Sequence, residues 1–237
     1  GRKIYSLDTT FGAAVSRPWH WTRFAFVPSI VGERNQSSFG GDVISRTFEP
    51  DLRFGVDLRA SSLKTYAFSI GPETGFSTAA LGRKFFSDGE RPEKIYTQLR
   101  GVVPFFPQHG VFDIQAYAAL AVDPSYNIPD SIIEVGANGD SSRLDLPLRG
   151  YPSEAFHGKR AGAVQLEYRC PISQIFRGAD TFPLFTRNLG AYLFYDAAKV
   201  QEVTDEWRGY VAGTGGGLIF NMNVFYHLPI SVRAQFS

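Results

Sequence analysis

The chain has 237 residues, with 24 Lys and Arg against 23 Asp and Glu, and a formal charge of +1. That balance, with no cluster of basic residues, excludes the footprint of a nucleic-acid-binding protein. A single cysteine, Cys170, excludes an internal disulfide framework, and no stretch reaches the roughly 18 apolar residues of a transmembrane helix. Aromatic residues make up 15% of the chain, with 21 Phe and 11 Tyr, which suits pleated, half-buried strands. The 24 Gly and 14 Pro supply the turns between them.

Period-two patterning runs along most of the sequence. RKIYSLDTTF (2–11) is a candidate first strand, followed by WHWTRFAFVPSIV (19–31), GGDVISRTF (40–48) and DLRFGVDLRA (51–60). TYAFSIGPETGFSTAALG (65–82), KIYTQLRGVVPFF (94–106) and GVFDIQAYAALAV (110–122) continue the series. A long polar stretch (123–160) interrupts it. AGAVQLEYRCPI (161–172), NLGAYLFYDAAKV (188–200), GTGGGLIFNMNVF (213–225) and ISVRAQFS (230–237) complete it. That makes ten strands, or eleven with the first. Many approach the 9–11 residues that a tilted strand needs to cross a bilayer.

The alternation carries charge on one phase. Val164, Leu166 and Tyr168 oppose Gln165, Glu167 and Arg169, and Phe54, Val56 and Leu58 oppose Arg53, Asp57 and Arg59. In the last segment Ile230, Val232, Ala234 and Phe236 oppose Ser231, Arg233 and Gln235. Two architectures fit this pattern: a soluble sandwich, apolar inside, and an inside-out membrane barrel. Trp19, Trp21, Phe85, Phe86, Phe105, Phe106, Tyr192, Phe225 and Tyr226 lie near segment ends. In a barrel they would form the interfacial girdles.

Four motifs in order decide between the two. They are LRGY (148–151), GAVQLEYRCPI (162–172), YLFYDAAKV (192–200) and GTGGGLIF (213–220). Together they resemble the barrel of the bacterial surface antigen superfamily. That superfamily includes the BamA-like outer-membrane insertases, the two-partner-secretion transporters and the patatin-fused outer-membrane proteins. The resemblance implies a transmembrane antiparallel β-barrel of 10–12 strands in a bacterial outer membrane, with loop 123–160 extracellular and folded into the lumen. It sets the loop-tip residues Arg149, Gly150 and Tyr151 inside, with Arg149 against the lumen carboxylates Glu167 and Asp196. A guanidinium buried there needs such partners. Ala198 departs from the family's glycine, a closing strand after 230–237 is lacking, and the periplasmic POTRA modules have no counterpart in residues 1–237, which read as one barrel domain.

No enzyme is expected. GTGGG lacks the Gly-Lys-Ser/Thr of a phosphate loop, no Gly-x-Ser-x-Gly elbow occurs, and the four His lack metal-ligand spacing. No cofactor or metal is implied. The expected partners are the lipid bilayer, with lipopolysaccharide in its outer leaflet, client outer-membrane or secreted proteins, and a second copy in a homodimer. The expected activity is protein insertion or translocation through a weak seam formed by Ile230, Val232, Ala234 and Phe236 against residues 19–31. The alternatives are a structural or dimerising anchor and a narrow plugged pore. Both termini are expected at the periplasmic rim.

Overall fold

The computed structural model describes residues 2–8, 11–17, 20–39, 42–45, 49–66, 68–86, 91–124, 131–137, 144–179, 182–202, 204, 206–225 and 227–237. Of these, 2–8, 17, those within 24–53, 179 and 182 are described by their backbone alone. Among the described residues every named element is a strand. In chain order they are β1 (Arg2–Asp8), β2 (Phe11–Arg17), β3 (His20–Phe39), β4 (Asp42–Ser45), β5 (Glu49–Ser61), β6 (Gly75–Phe86), β7 (Glu93–Phe105) and β8 (Gly110–Val122). Three short strands follow within the long loop: β9 (Ile133–Gly136), β10 (Leu146–Pro147) and β11 (Phe156–Gly158). The series ends with β12 (Arg160–Ala179), β13 (Phe182–Gln201), β14 (Val211–Val224) and β15 (Leu228–Phe236).

All but the three loop strands belong to one sheet, antiparallel throughout. The N-terminal segments merge into fewer, longer units than their sequence suggests. β1 and β2 share one register on β3, with Asp8 opposite Ser29 and Phe11 opposite Phe26. β4 and β5 also follow each other along β3, with the register offset by one residue between them, Ser45 opposite Gln36 and Glu49 opposite Glu33. The sheet therefore runs up and down in ten strand-lengths, in sequence order, and RKIYSLDTTF contributes to the first of them.

The sheet is curled but not closed. Five ladder steps lead from β5 to β13, about 24 Å if flat. Yet Ser69, just beyond β5, accepts a hydrogen bond from Asn188 on β13 at 3.2 Å. Among the described residues β15 pairs only with β14, and β1 and β2 only with β3. The expected seam is thereby corrected. Residues 20–33 of β3 have β1 or β2 on one side and β5 on the other across most of their length, and Ala25 already faces both Gly12 and Asp57. The free edges belong to β15 and to β1 with β2.

The orientation is corrected as well. Ten antiparallel lengths return the chain to the rim from which it started. Four of them follow the long loop, so both chain ends lie at the rim that carries residues 123–160.

Burial is inverted relative to a soluble sheet. Ile95, Leu99, Ile114, Val164, Leu166 and Leu193 face outward and are exposed, whereas Lys94, Asp113, Gln165, Glu167, Arg169 and Asp196 face inward and are buried. Two of the aromatic assignments fail for the same reason. Phe85 and Tyr192 fall on the inward phase and are only 2% exposed, while Phe105, Phe106 and Phe225 are exposed. Trp19 and Tyr226 lie outside the described residues.

Candidate functional site

The long loop folds back inside the curl. β9, β10 and β11 form a small sheet, with β10 parallel and β11 antiparallel to β9. Leu144, Leu146 and Leu148 are completely buried, alongside Ile133 and Val135, against Tyr96, Tyr117, Ala161 and Ala163 of the wall. The intervening residues are enclosed too, so this segment is packed on both faces. It closes the interior like a stopper.

Its tip carries the charged contact. The backbone N–H of Arg149 donates to Asp196 Oδ2 at 3.0 Å, and Nε donates to the same oxygen at 2.8 Å. Nη2 donates to Asp196 Oδ1 at 2.7 Å, and Nη1 donates to Glu167 Oε2. This is a bidentate, charge-assisted grip on one carboxylate with a second carboxylate alongside. The ring of Phe194 lies 4.0 Å from the guanidinium carbon, a cation–π contact. Burial pulls the Arg149 pKa down, but the hydrogen bonds and charges of Asp196 and then Glu167 outweigh it, holding the pKa above the usual arginine value.

Glycine makes the approach possible on both sides. Gly150 adopts φ +90°, a left-handed conformation that suits glycine. Across from it, a Cβ on Gly213 would fall 2.1 Å from the Arg149 carbonyl oxygen. Tyr151 donates its hydroxyl to the Ala212 carbonyl at 3.1 Å and meets Phe156 edge-on at 5.3 Å. All three loop-tip residues thus touch β14 or its neighbour β13.

The charges extend along the wall. Gln165 Nε2 donates to Asp196 Oδ2 at 3.0 Å and to the Pro147 carbonyl at 3.3 Å. Arg100 and Arg169 both donate to Asp113, and Arg169 Nε lies 3.6 Å from Glu167 Oε1. Arg233 of β15 also lies 3.6 Å from Glu167 Oε1, yet its side chain is 48% exposed. Ile230, Val232, Ala234 and Phe236, expected at the seam, lie on β15 in register with Met222, Phe220, Leu218 and Gly216 of β14. They take no part in the Arg149 hydrogen bonds, although the end of β15 comes close: a Cβ on Gly215 would meet both the Phe236 carbonyl and the Phe194 ring.

Two anchors escaped sequence reading. Lys94 is 1% exposed and donates to the Ile132 carbonyl at 2.9 Å and to Asp145 Oδ1 at 2.8 Å, fixing the base of the stopper to β7. A lysine on the inward phase calls for a carboxylate, but nothing local to Lys94 in the sequence names Asp145 as that partner. The second anchor is the connection 62–74 (residue 67 lies outside the described residues), of which 65–74 read in the sequence as part of a strand. It turns inward at the opposite rim, where His109 Nδ1 and Glu73 Oε1 are 2.6 Å apart.

No family model matches this chain, and no curated protein matches it closely.

Proposed function

We propose that this chain is an outer-membrane β-barrel similar to the surface antigen superfamily, without enzymatic activity, that helps insert or translocate other proteins at its open strand edge. The membrane reading rests on the inverted burial. From Ile95 to Phe105, eleven residues and ten steps of the strand, the outward phase of β7 is uncharged. At ~3.4 Å per residue and a tilt of ~40° this spans about 26 Å, close to the ~25 Å apolar band of such barrels. The Lys84–Glu93 pair, also on the outward phase, sits just beyond one end of that band.

The observation that carries the activity is β15. It has one ladder neighbour, and eight of its nine residues are exposed. An unpaired edge in hydrocarbon is unstable and templates another strand. A photo-crosslinking residue at Val232, activated in intact cells, tests this. Adducts to other outer-membrane or secreted proteins are the expected result. Adducts confined to residues 2–17 of the same chain would mean a self-closed barrel and remove the mechanism. The firmly anchored stopper favours one rival, a structural anchor or narrow plugged pore, and confinement of the adducts to the chain itself would select it.

A further inference from the structure

The connection 62–74 is recognised by the wall in an unusual way. Asn188 Nδ2 donates to the Ser69 carbonyl at 3.2 Å, and Asn221 Nδ2 donates to the next carbonyl, that of Ile70, at 3.1 Å. These two asparagines are register partners on β13 and β14, are both buried, and are tied by a 2.7 Å hydrogen bond from Asn221 Nδ2 to Asn188 Oδ1. A register shift between Thr186 and Asn188 marks an irregularity beside the pair, of the kind that re-aims side chains. The Ile70 side chain packs against Tyr192, Phe194 and Ile219. Gly190 makes the room, because a Cβ there would lie 2.4 Å from Ile70 Cδ1. Gly71 lies against the Arg169 guanidinium in the same manner.

These contacts read two consecutive main-chain carbonyls, one aliphatic side chain and one residue small enough to pass Arg169. That is the chemistry of peptide recognition, in which main-chain bonds give affinity and one pocket gives preference. We propose that this seat on β13 and β14 is a binding site for a polypeptide segment bent at an aliphatic residue, so that two consecutive carbonyls face the same way, occupied at rest by the chain's own residues 69–71, which form such a bend. The proposal rests on the reading of the barrel as one that handles other polypeptides.

The resident segment is held as a removable unit. Ser69 Oγ donates to Glu73 Oε1 at 2.6 Å, and Glu73 in turn contacts His109 on the turn between β7 and β8. Once the segment leaves, two buried side-chain amides lose their acceptors, and consecutive carbonyls of another chain bent in the same way replace them in kind.

The test uses the full chain in lipid vesicles and a variant with residues 65–72 replaced by Asn-Gly. Three fluorescent peptides serve as probes: a copy of residues 68–73, the same copy carrying Ile70→Asp, and a turn-forming peptide of otherwise unrelated sequence with one isoleucine at the bend. The copy and the unrelated peptide should bind the shortened variant saturably, and not the unmodified protein. Binding should fall about tenfold or more with the Ile70→Asp peptide, or when Asn188→Leu and Asn221→Leu remove two hydrogen bonds. Equal binding of the Ile70→Asp peptide would overturn the proposal, as would failure of the unrelated peptide to bind. Should the shortened variant not fold, full-length Ile70→Asp keeps the question open to decision. Proteolysis at residues 64–73 is expected there, and continued protection would overturn the seat. Failure of the unmodified protein to insert into vesicles would instead reject the barrel reading.

Discussion

Arg149 sits where a small change has a large cost. Asp196 is fully buried and Glu167 nearly so, and Arg149 hydrogen-bonds to both carboxylates. Removing one partner of a buried ion pair costs about 3–5 kcal/mol, mostly because the other charge is stranded. Arg149→Ala should therefore lower the urea unfolding free energy by about that amount and open loop 123–160 to proteases. An unchanged midpoint and digestion pattern would show that the contact contributes little. Lys94→Met should act in the same direction at the other end of the stopper, since it takes the buried cation from Asp145, and the same two measurements report it. The Arg149 partners were legible only through the order of four motifs, since residues 149, 167 and 196 share no local spacing. Lys94 with Asp145 was not legible, because their contact joins positions 51 residues apart and no motif links them.

At the scale of elements, alternation located β7, β8 and β12 to β15 to within a few residues at most ends, but it missed β9, β10 and β11 inside the polar stretch and misread what lies before β6. Tyr66, Phe68 and Ile70 alternate as a strand would, so residues 65–82 passed for one element. What draws 68–71 inward is Asn188 and Asn221, more than a hundred residues away, and local pattern contains nothing of that. The strand count has a direct consequence for topology. After Cys170→Ser, single cysteines at Glu154 and Ser237 should react with an impermeant reagent from the same side of the membrane, and one at Gln108 from the other. Opposite sidedness of Glu154 and Ser237 would require an odd number of crossings between them.

For the whole molecule, the inverted pattern makes a prediction whose outcome separates the two architectures that alternation alone fits. Leu99 is 61% exposed and Leu193 is 65% exposed. In a bilayer, Leu99→Lys near mid-band should cost about 2–4 kcal/mol. On a water-exposed surface the same change should be neutral within ~0.5 kcal/mol. Urea titration of protein folded into vesicles measures it, and a neutral result would return the exposed face to water. The polarity inversion was readable from alternation, but which phase faces inward was not. Period two is blind to the sign, and only the curl of the sheet around its two inward segments fixes it.

The unequal heights of neighbouring strands leave a long lever at one rim. β8 accompanies β12 only from Arg160 to Arg169; beyond that, among the described residues, β12 is laddered to β13 alone as far as Ala179. One margin of that stretch, about 30 Å long, therefore has β13 as its one ladder neighbour. Its Phe176 meets Phe68 edge-on at 5.1 Å, one residue before Ser69, whose carbonyl Asn188 of the same hairpin already holds. Torque applied to the tip of the β12–β13 hairpin thus has two couplings to the inward segment, one through rings and one through the main chain. Phe176→Ala should remove the first, so that an antibody fragment gripping the hairpin tip exposes residues 64–73 to protease more slowly in the variant than in the unmodified protein; equal rates would show that the rings transmit nothing.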